Sequence, residues 1–211
     1  MVRGARSPRW GAALSDGAPP GADLGERFEA ALAWATQLHR RQRRKGTAIP
    51  YVSHLLGVAG IALEIGADED QAIAALLHDA VEDQGGAPIL AEIRARFGER
   101  VAGIVADCTD AEVIPKPPWR ARKEAYVASL AHKPADSLLV SLADKTHNAR
   151  AILDDLAVHG PALWDRFSGG RDGSLWYYDA LAQAFCERLP GDAAERLGFI
   201  VAEMHRAAGR G

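Results

Sequence analysis

The segment Leu76-Leu77-His78-Asp79-Ala80-Val81-Glu82-Asp83 carries one imidazole and three carboxyl groups in close succession. Each helical residue advances about 100°, so with His78 at zero, Glu82 falls near 40°, Asp79 near 100° and Asp83 near 140°. Leu76, Leu77, Ala80 and Val81 take the other side. Such a helix is either a solvated polar face above an apolar stripe or a place where a cation or water screens mutually repelling acids beside a histidine. A second patch lies in Leu142-Ala143-Asp144-Lys145-Thr146-His147-Asn148, where Asp144 and Asn148 are four apart and share one helical face. Leu138, Leu142, Ala149 and Leu153 cluster roughly opposite. His54 follows Pro50-Tyr51-Val52-Ser53 at the start of another segment, and alone reads as a surface or core residue.

Helices must carry these groups. The 211 residues suffice for one substantial helical domain. Residues 1–22 are rich in Gly, Ala, Pro, Arg and Ser without any period and read as a flexible tail. Residues 23–211 read as a single domain. The spacing of Phe28, Leu32, Ala35 and Leu38 predicts a helix over 23–43, running out in the basic stretch Arg40-Arg41-Gln42-Arg43-Arg44-Lys45-Gly46. Further helices are expected from Ser53 to near Gly66, over 69–83, from Pro88 to Phe97, and from Glu99 to near Cys108. After a loop containing Pro115, Pro117 and Pro118, four more follow, near 119–132, 135–156, 174–188 and 192–207. Ser168-Gly169-Gly170-Arg171-Asp172-Gly173 is expected to be a surface loop. No segment alternates as a strand does. Helix after helix with short connections specifies an all-α bundle of about 8–10 helices.

Composition narrows the partners. A net charge of −3 exerts no global pull on nucleic acid or anionic membrane, so an anionic substrate needs a local basic patch. No run reaches the roughly 20 apolar residues of a membrane span. The basic N-terminus with Arg3, Arg6 and Arg9 lacks the apolar core of a secretion signal. Two cysteines, Cys108 and Cys186, without a Cys-x-x-Cys, are expected to be buried and unpaired in a reducing cytoplasm.

Taken in order, these motifs resemble the hydrolase domain of the RelA/SpoT homologues within the HD superfamily, especially its small stand-alone hydrolases. Gln42-Arg43-Arg44-Lys45 followed by Pro50-Tyr51-Val52-Ser53-His54 resembles the family's basic loop and first metal histidine. Ala74 to Asp83 resembles its His-Asp-x-x-Glu-Asp signature, and Phe97-Gly98-Glu99-Arg100-Val101 a recurrent Phe-Gly-x-x-Val. Val140 to Arg150 resembles the stretch with the last metal aspartate and a downstream asparagine. The resemblance spans residues 26–207. Two residues depart from it: Leu55 stands where a proline is usual, and Gln84 where a threonine is common.

The resemblance implies that His54, His78, Asp79 and Asp144 bind one divalent ion. Two imidazoles with two carboxylates suit an ion of intermediate softness, Mn²⁺ or alternatively Fe²⁺. It implies that Glu82 and Asp83 are the catalytic pair handling water, and that Arg44, Lys45, Asn148 and Tyr178 bind substrate. The implied reaction is hydrolysis of the 3′-pyrophosphate of guanosine tetra- or pentaphosphate. Two other functions fit the same residues: a phosphohydrolase acting on another nucleotide, including the 2′-phosphate of NADPH, and a non-catalytic nucleotide sensor. His39, His132, His159 and His205 read as structural or exposed, and His147 as a packing residue, since it points about 100° away from Asn148. Trp176-Tyr177-Tyr178 reads as core, with Tyr177 or Tyr178 open to a pocket role.

Overall fold

The computed structural model describes residues 23–109 and 117–209. The helices are α1 (Glu26–Leu38), α2 (Val52–Glu64), α3 (Glu69–Leu77), α4 (Ala80–Gln84), α5 (Ala87–Phe97), α6 (Glu99–Cys108), α7 (Trp119–Ser129), α8 (Ala135–His159), α9 (Gly170–Arg188) and α10 (Asp192–Ala208). A 3-10 helix, Gly160–Arg166, joins α8 to α9. The described residues contain no strand, only one antiparallel bridge between Arg43 and Pro50. The fold is all-α, as the periodicity requires. The N-terminal tail and Pro115 lie outside the described residues.

Local chemistry sets the helix ends. Asp68 caps α3: its carboxylate accepts from the Gln71 backbone N–H at 3.0 Å, and Gln71 Oε1 accepts from the Asp68 N–H at 2.8 Å. Gly98 joins α5 to α6 at φ 95°, a backbone conformation that side chains disfavour. Arg100 on α6 reaches Asp68 at 2.7 Å and Asp136 at 2.8 Å, tying the starts of α3 and α8 together.

Two apolar clusters fill the interior. The first is built by α1 to α6, with residues such as Leu55, Ile73, Leu76 and Val105. The second is built by α7 to α10 and the 3-10 helix, with Leu142, Leu163, Phe185 and Leu197. Helix α8 serves both: Val140 and Ala143 face the first cluster, Leu138, Leu142 and Ala149 the second. A polar group on α8 can therefore meet residues from either half.

Three segments differ from expectation. Helix α1 stops at Leu38, and the basic stretch beyond it is a loop pinned by Arg44 N–H to Ile49 O at 2.9 Å and Tyr51 N–H to Gln42 O at 3.1 Å. The helix expected over 69–83 is two helices, broken at His78-Asp79, because the His78 side chain takes the Ala75 carbonyl at 2.8 Å that a continuing helix would use. The glycine-rich stretch is not a loop throughout, since α9 begins at Gly170. A Cβ at Gly169 would lie 2.5 Å from the Trp119 indole and one at Gly173 3.1 Å from it, so these glycines serve close helix packing. Both cysteines are unpaired, but only Cys108 is partly covered; Cys186 is exposed, contrary to the buried role expected of it.

Candidate metal centre

His54 sits in the first turn of α2 and is buried. His78 and Asp79 occupy the break between α3 and α4, and Asp144 lies mid-way along α8. The fold brings all four together. His54 Nε2 is 3.3 Å from Asp144 Oδ1 and 3.4 Å from Asp79 Oδ2. His78 Nε2 is 3.0 Å from Asp79 Oδ2 and 3.6 Å from Asp144 Oδ1. Ligand atoms of His54, His78 and Asp144 all lie within 4.8 Å of one another. The helical break makes this possible, since it re-aims His78 and Asp79 relative to Glu82 and Asp83.

The donor set fits a divalent cation. His78 donates from Nδ1 to Ala75 O, which leaves a lone pair on Nε2. That Nε2 is buried and lacks any hydrogen-bond partner, although two carboxylates stand beside it. An orphaned basic nitrogen facing acids is a ligand geometry, and the backbone carbonyl behind it orients the ring as metal-binding histidines usually require. His54 has a comparable support: its Nδ1 meets His147 Nδ1 at 3.0 Å.

Electrostatics are tightly coupled here. Burial opposes ionisation of Asp144, but the Lys145 ammonium at 2.6 Å and the two imidazoles hold its carboxyl well below the usual range. Burial likewise opposes the charge of Asp79, yet His78 and His54 keep it well below that range. Burial would lower His78, but the two carboxylates outweigh it and raise it well above an ordinary histidine. The two ionised carboxylates thus stabilise positive charge beside them, on the His78 ring or on a metal ion held by the same atoms. Asp83 is pushed upward, chiefly by burial, even as Gln42 Nε2 donates to it at 2.7 Å.

A cavity of about 450 Å³ adjoins the cluster, lined among others by Arg44, Lys45, Tyr51, Asn148, Asp155 and Tyr178. Arg44 Nη2 donates to Asn148 Oδ1 at 2.9 Å, and Asn148 Nδ2 donates to Asp144 Oδ1 at 2.6 Å. This chain of bonds joins the basic loop to the acid. All four residues assigned to substrate thus line one cavity. Glu82 is exposed on α4, one residue before Asp83.

A family model described as HD domain matches residues 31–175. The chain belongs to the HD-domain family. This HD-domain chain is 40% identical over 125 residues to guanosine-3′,5′-bis(diphosphate) 3′-pyrophosphohydrolase MESH1 of Xenopus tropicalis, covering 58% of this chain and 67% of that protein. The human protein of the same name is 38% identical over 135 residues, covering 63% and 72%. Among solved structures, one described as a metazoan ortholog of SpoT that hydrolyzes ppGpp superposes with a TM-score of 0.70 at 29% identity, covering 89% of this chain and 98% of that one. A Listeria monocytogenes protein superposes at 0.64 with 28% identity, covering 72% and 99%.

Several residues of the HD-domain site were not legible as such in the sequence. Tyr51 donates its hydroxyl to Asp79 Oδ2 at 2.5 Å. Gln42 bridges Asp83 to Gln84, accepting from Gln84 Nε2 at 2.5 Å, so the atypical Gln84 supports the loop from behind. Buried His39 lies 2.7 Å from the same Gln42 oxygen and stacks on Tyr51 with 5.3 Å between centroids. His147 is no mere packing residue, because it backs His54. The only available signal was their adjacency to the recognised motifs; the bonds join residues up to 93 positions apart.

Proposed function

We propose that this chain is a divalent-metal-dependent hydrolase that removes the 3′-pyrophosphate of guanosine 3′,5′-bis(diphosphate), giving GDP and pyrophosphate. The observation that carries the reading is the buried, unpartnered His78 Nε2 facing Asp79 and Asp144 beside a cavity with a cationic wall. The named relatives, aligned over most of their length, support the nucleotide assignment.

His54, His78, Asp79 and Asp144 would hold the ion, and mixed nitrogen and oxygen donors favour Mn²⁺. Such an ion supplies Lewis-acid polarisation of a phosphoryl oxygen and activates water at neutral pH. Arg44 and Lys45 neutralise phosphate charge from the loop. Asn148 is held by Arg44 and Asp144 and positions the ribose or its phosphate. Tyr178 walls the nucleotide cavity. Asp83, with a raised pKa and a bond from Gln42, accepts the proton of the attacking water, and Glu82 orients that water. Two unpaired cysteines suit a cytoplasmic setting, and no described helix is long and apolar enough to cross a membrane.

The test offers the Mn²⁺-loaded protein guanosine 3′,5′-bis(diphosphate) and NADPH in parallel, assaying pyrophosphate and orthophosphate. Pyrophosphate from the guanosine compound is expected. Orthophosphate from NADPH with no pyrophosphate from the first would overturn the assignment, and binding of both without turnover would leave a sensor.

A further inference from the structure

His39 caps the end of α1 and is 1% exposed. One nitrogen of its ring, Nε2, is buried and has no hydrogen-bond partner. The other, Nδ1, lies 2.7 Å from Gln42 Oε1. The same oxygen accepts from Gln84 Nε2 at 2.5 Å, and Gln42 Nε2 donates to Asp83 Oδ2 at 2.7 Å. The imidazole stacks on Tyr51, with 5.3 Å between centroids and 16° between planes. An apolar ring could stack there without leaving a buried nitrogen unmet, and an unmet nitrogen costs free energy. What only a histidine adds at this place is the Nδ1 contact.

Proton counting fixes the direction of each bond. An ionised carboxylate only accepts, so Gln42 must present its NH2 to Asp83. The Gln42 carbonyl oxygen then faces His39 and Gln84, and both must donate to it. Gln84 does so through its amide. Burial lowers the His39 pKa, with the His78 ring adding to it, against the pull of Gln42, Asp79 and Asp83. The ring therefore carries one proton, and that proton sits on Nδ1; the lone pair left over is the unmet one on Nε2. A flipped Gln42 amide would set Oε1 against the Asp83 carboxylate and its NH2 against that of Gln84.

We propose that His39 is a positioning residue for the hydrolysis: its Nδ1–H holds the Gln42 amide in the orientation that donates to Asp83, and so aims the carboxylate that receives the proton of water. The proposal rests on the role given above to Asp83. Helix α4 is only five residues long, so no extended helix restrains that side chain. The bond from Gln42 selects one of its rotamers. His39 acts through Gln42 alone.

Two substitutions separate the donor from the ring. His39→Phe keeps a ring against Tyr51 and removes the donor. His39→Asn removes the ring and keeps an N–H donor one bond from Cγ, where Nδ1 was. In the Mn²⁺-loaded protein His39→Phe should lower kcat about tenfold with KM and metal content unchanged, and His39→Asn should recover most of that loss. Gln42→Leu should lower kcat as much, and adding His39→Phe to it should cost nothing further, because the partner is already gone. Additive losses in the double variant, or a higher kcat with Phe than with Asn, would overturn the proposal. Nitrogen-15 NMR of the wild type, with diamagnetic Zn²⁺ in place of Mn²⁺, reads the same bond without turnover. His39, identified by its contact with Tyr51, should be the neutral Nδ1–H tautomer. An Nε2–H ring would overturn the proposal even where the His39 variants fail to fold. A wild type that shows the Nδ1–H ring yet turns over no guanosine 3′,5′-bis(diphosphate) overturns the activity proposed above, and the kinetic role with it. Additivity in an active wild type overturns the His39 role alone.

Discussion

His54 and His147 face each other Nδ1 to Nδ1 at 3.0 Å, while His54 turns its Nε2 toward Asp144 and Asp79. Only one of the two facing nitrogens can carry the shared proton. Burial, with His54 and Arg44 nearby, brings the His147 pKa down to about 4, so its ring is neutral at pH 7 and able to accept. When His54 donates from Nδ1, its Nε2 keeps the lone pair that a metal requires. The His147 ring fits because residue 57 is glycine: a Cβ there would lie 2.2 Å from it.

His147→Ala should therefore lower divalent-metal affinity by about 10–100-fold, the usual effect of losing the group behind a ligand. Gly57→Ala should reproduce the loss by displacing the ring. Metal titration by calorimetry reads both, and wild-type affinity in the His147 variant would contradict the supporting role.

The acid pair on α4 should affect rate and spare metal content. Asp83→Asn and Glu82→Gln are expected to lower kcat by about 10²–10⁴-fold, the usual contribution of a positioned proton acceptor. Gln42→Ala should give a smaller drop, since it frees the Asp83 carboxylate without removing it. Elemental analysis alongside the rate assay checks the claim; full turnover in both acid variants would refute it.

The basic loop should govern substrate affinity. Arg44→Ala removes a cation from the cavity and the bond holding Asn148, and should raise KM by about tenfold with a lesser change in kcat. Steady-state kinetics decide. A lowered kcat at unchanged KM would show that Arg44 acts only once the reaction is under way.

Acid stability should report the α3 cap. Burial opposes the Asp68 charge, but the Gln71 N–H and Arg100 outweigh it and depress its pKa below 3.8. A depressed pKa stabilises the fold above the unfolded-state value, and that contribution is lost as pH falls through the folded one. Asp68→Asn should thus flatten the decline in stability below about pH 4. Asp68→Ala should cost about 1 kcal/mol at neutral pH through the lost cap. Urea denaturation at several pH values measures both, and identical acid profiles for wild type and Asp68→Asn would contradict the assignment.

Apolar spacing alone announces the helices, because a helix must bury one stripe and the stripe repeats with its turn. Leu138, Leu142 and Ala149 of α8 mark its apolar side in the chain as clearly as in the core. The order of His54, His78-Asp79 and Asp144 was legible only through resemblance, since nothing in a period of 3.6 says which distant helices will touch. Other features arose only on folding. The break at His78 depends on a side chain outcompeting the backbone for one carbonyl. The Arg44–Asn148 bond and the His54–His147 contact join residues 104 and 93 positions apart. The seat of the Trp119 indole depends on Gly169 and Gly173, where a Cβ would have collided with it. Hydrophobic patterning is local and survives in the chain, whereas hydrogen bonds and steric clearances between segments exist only once packing has brought them within a few ångströms.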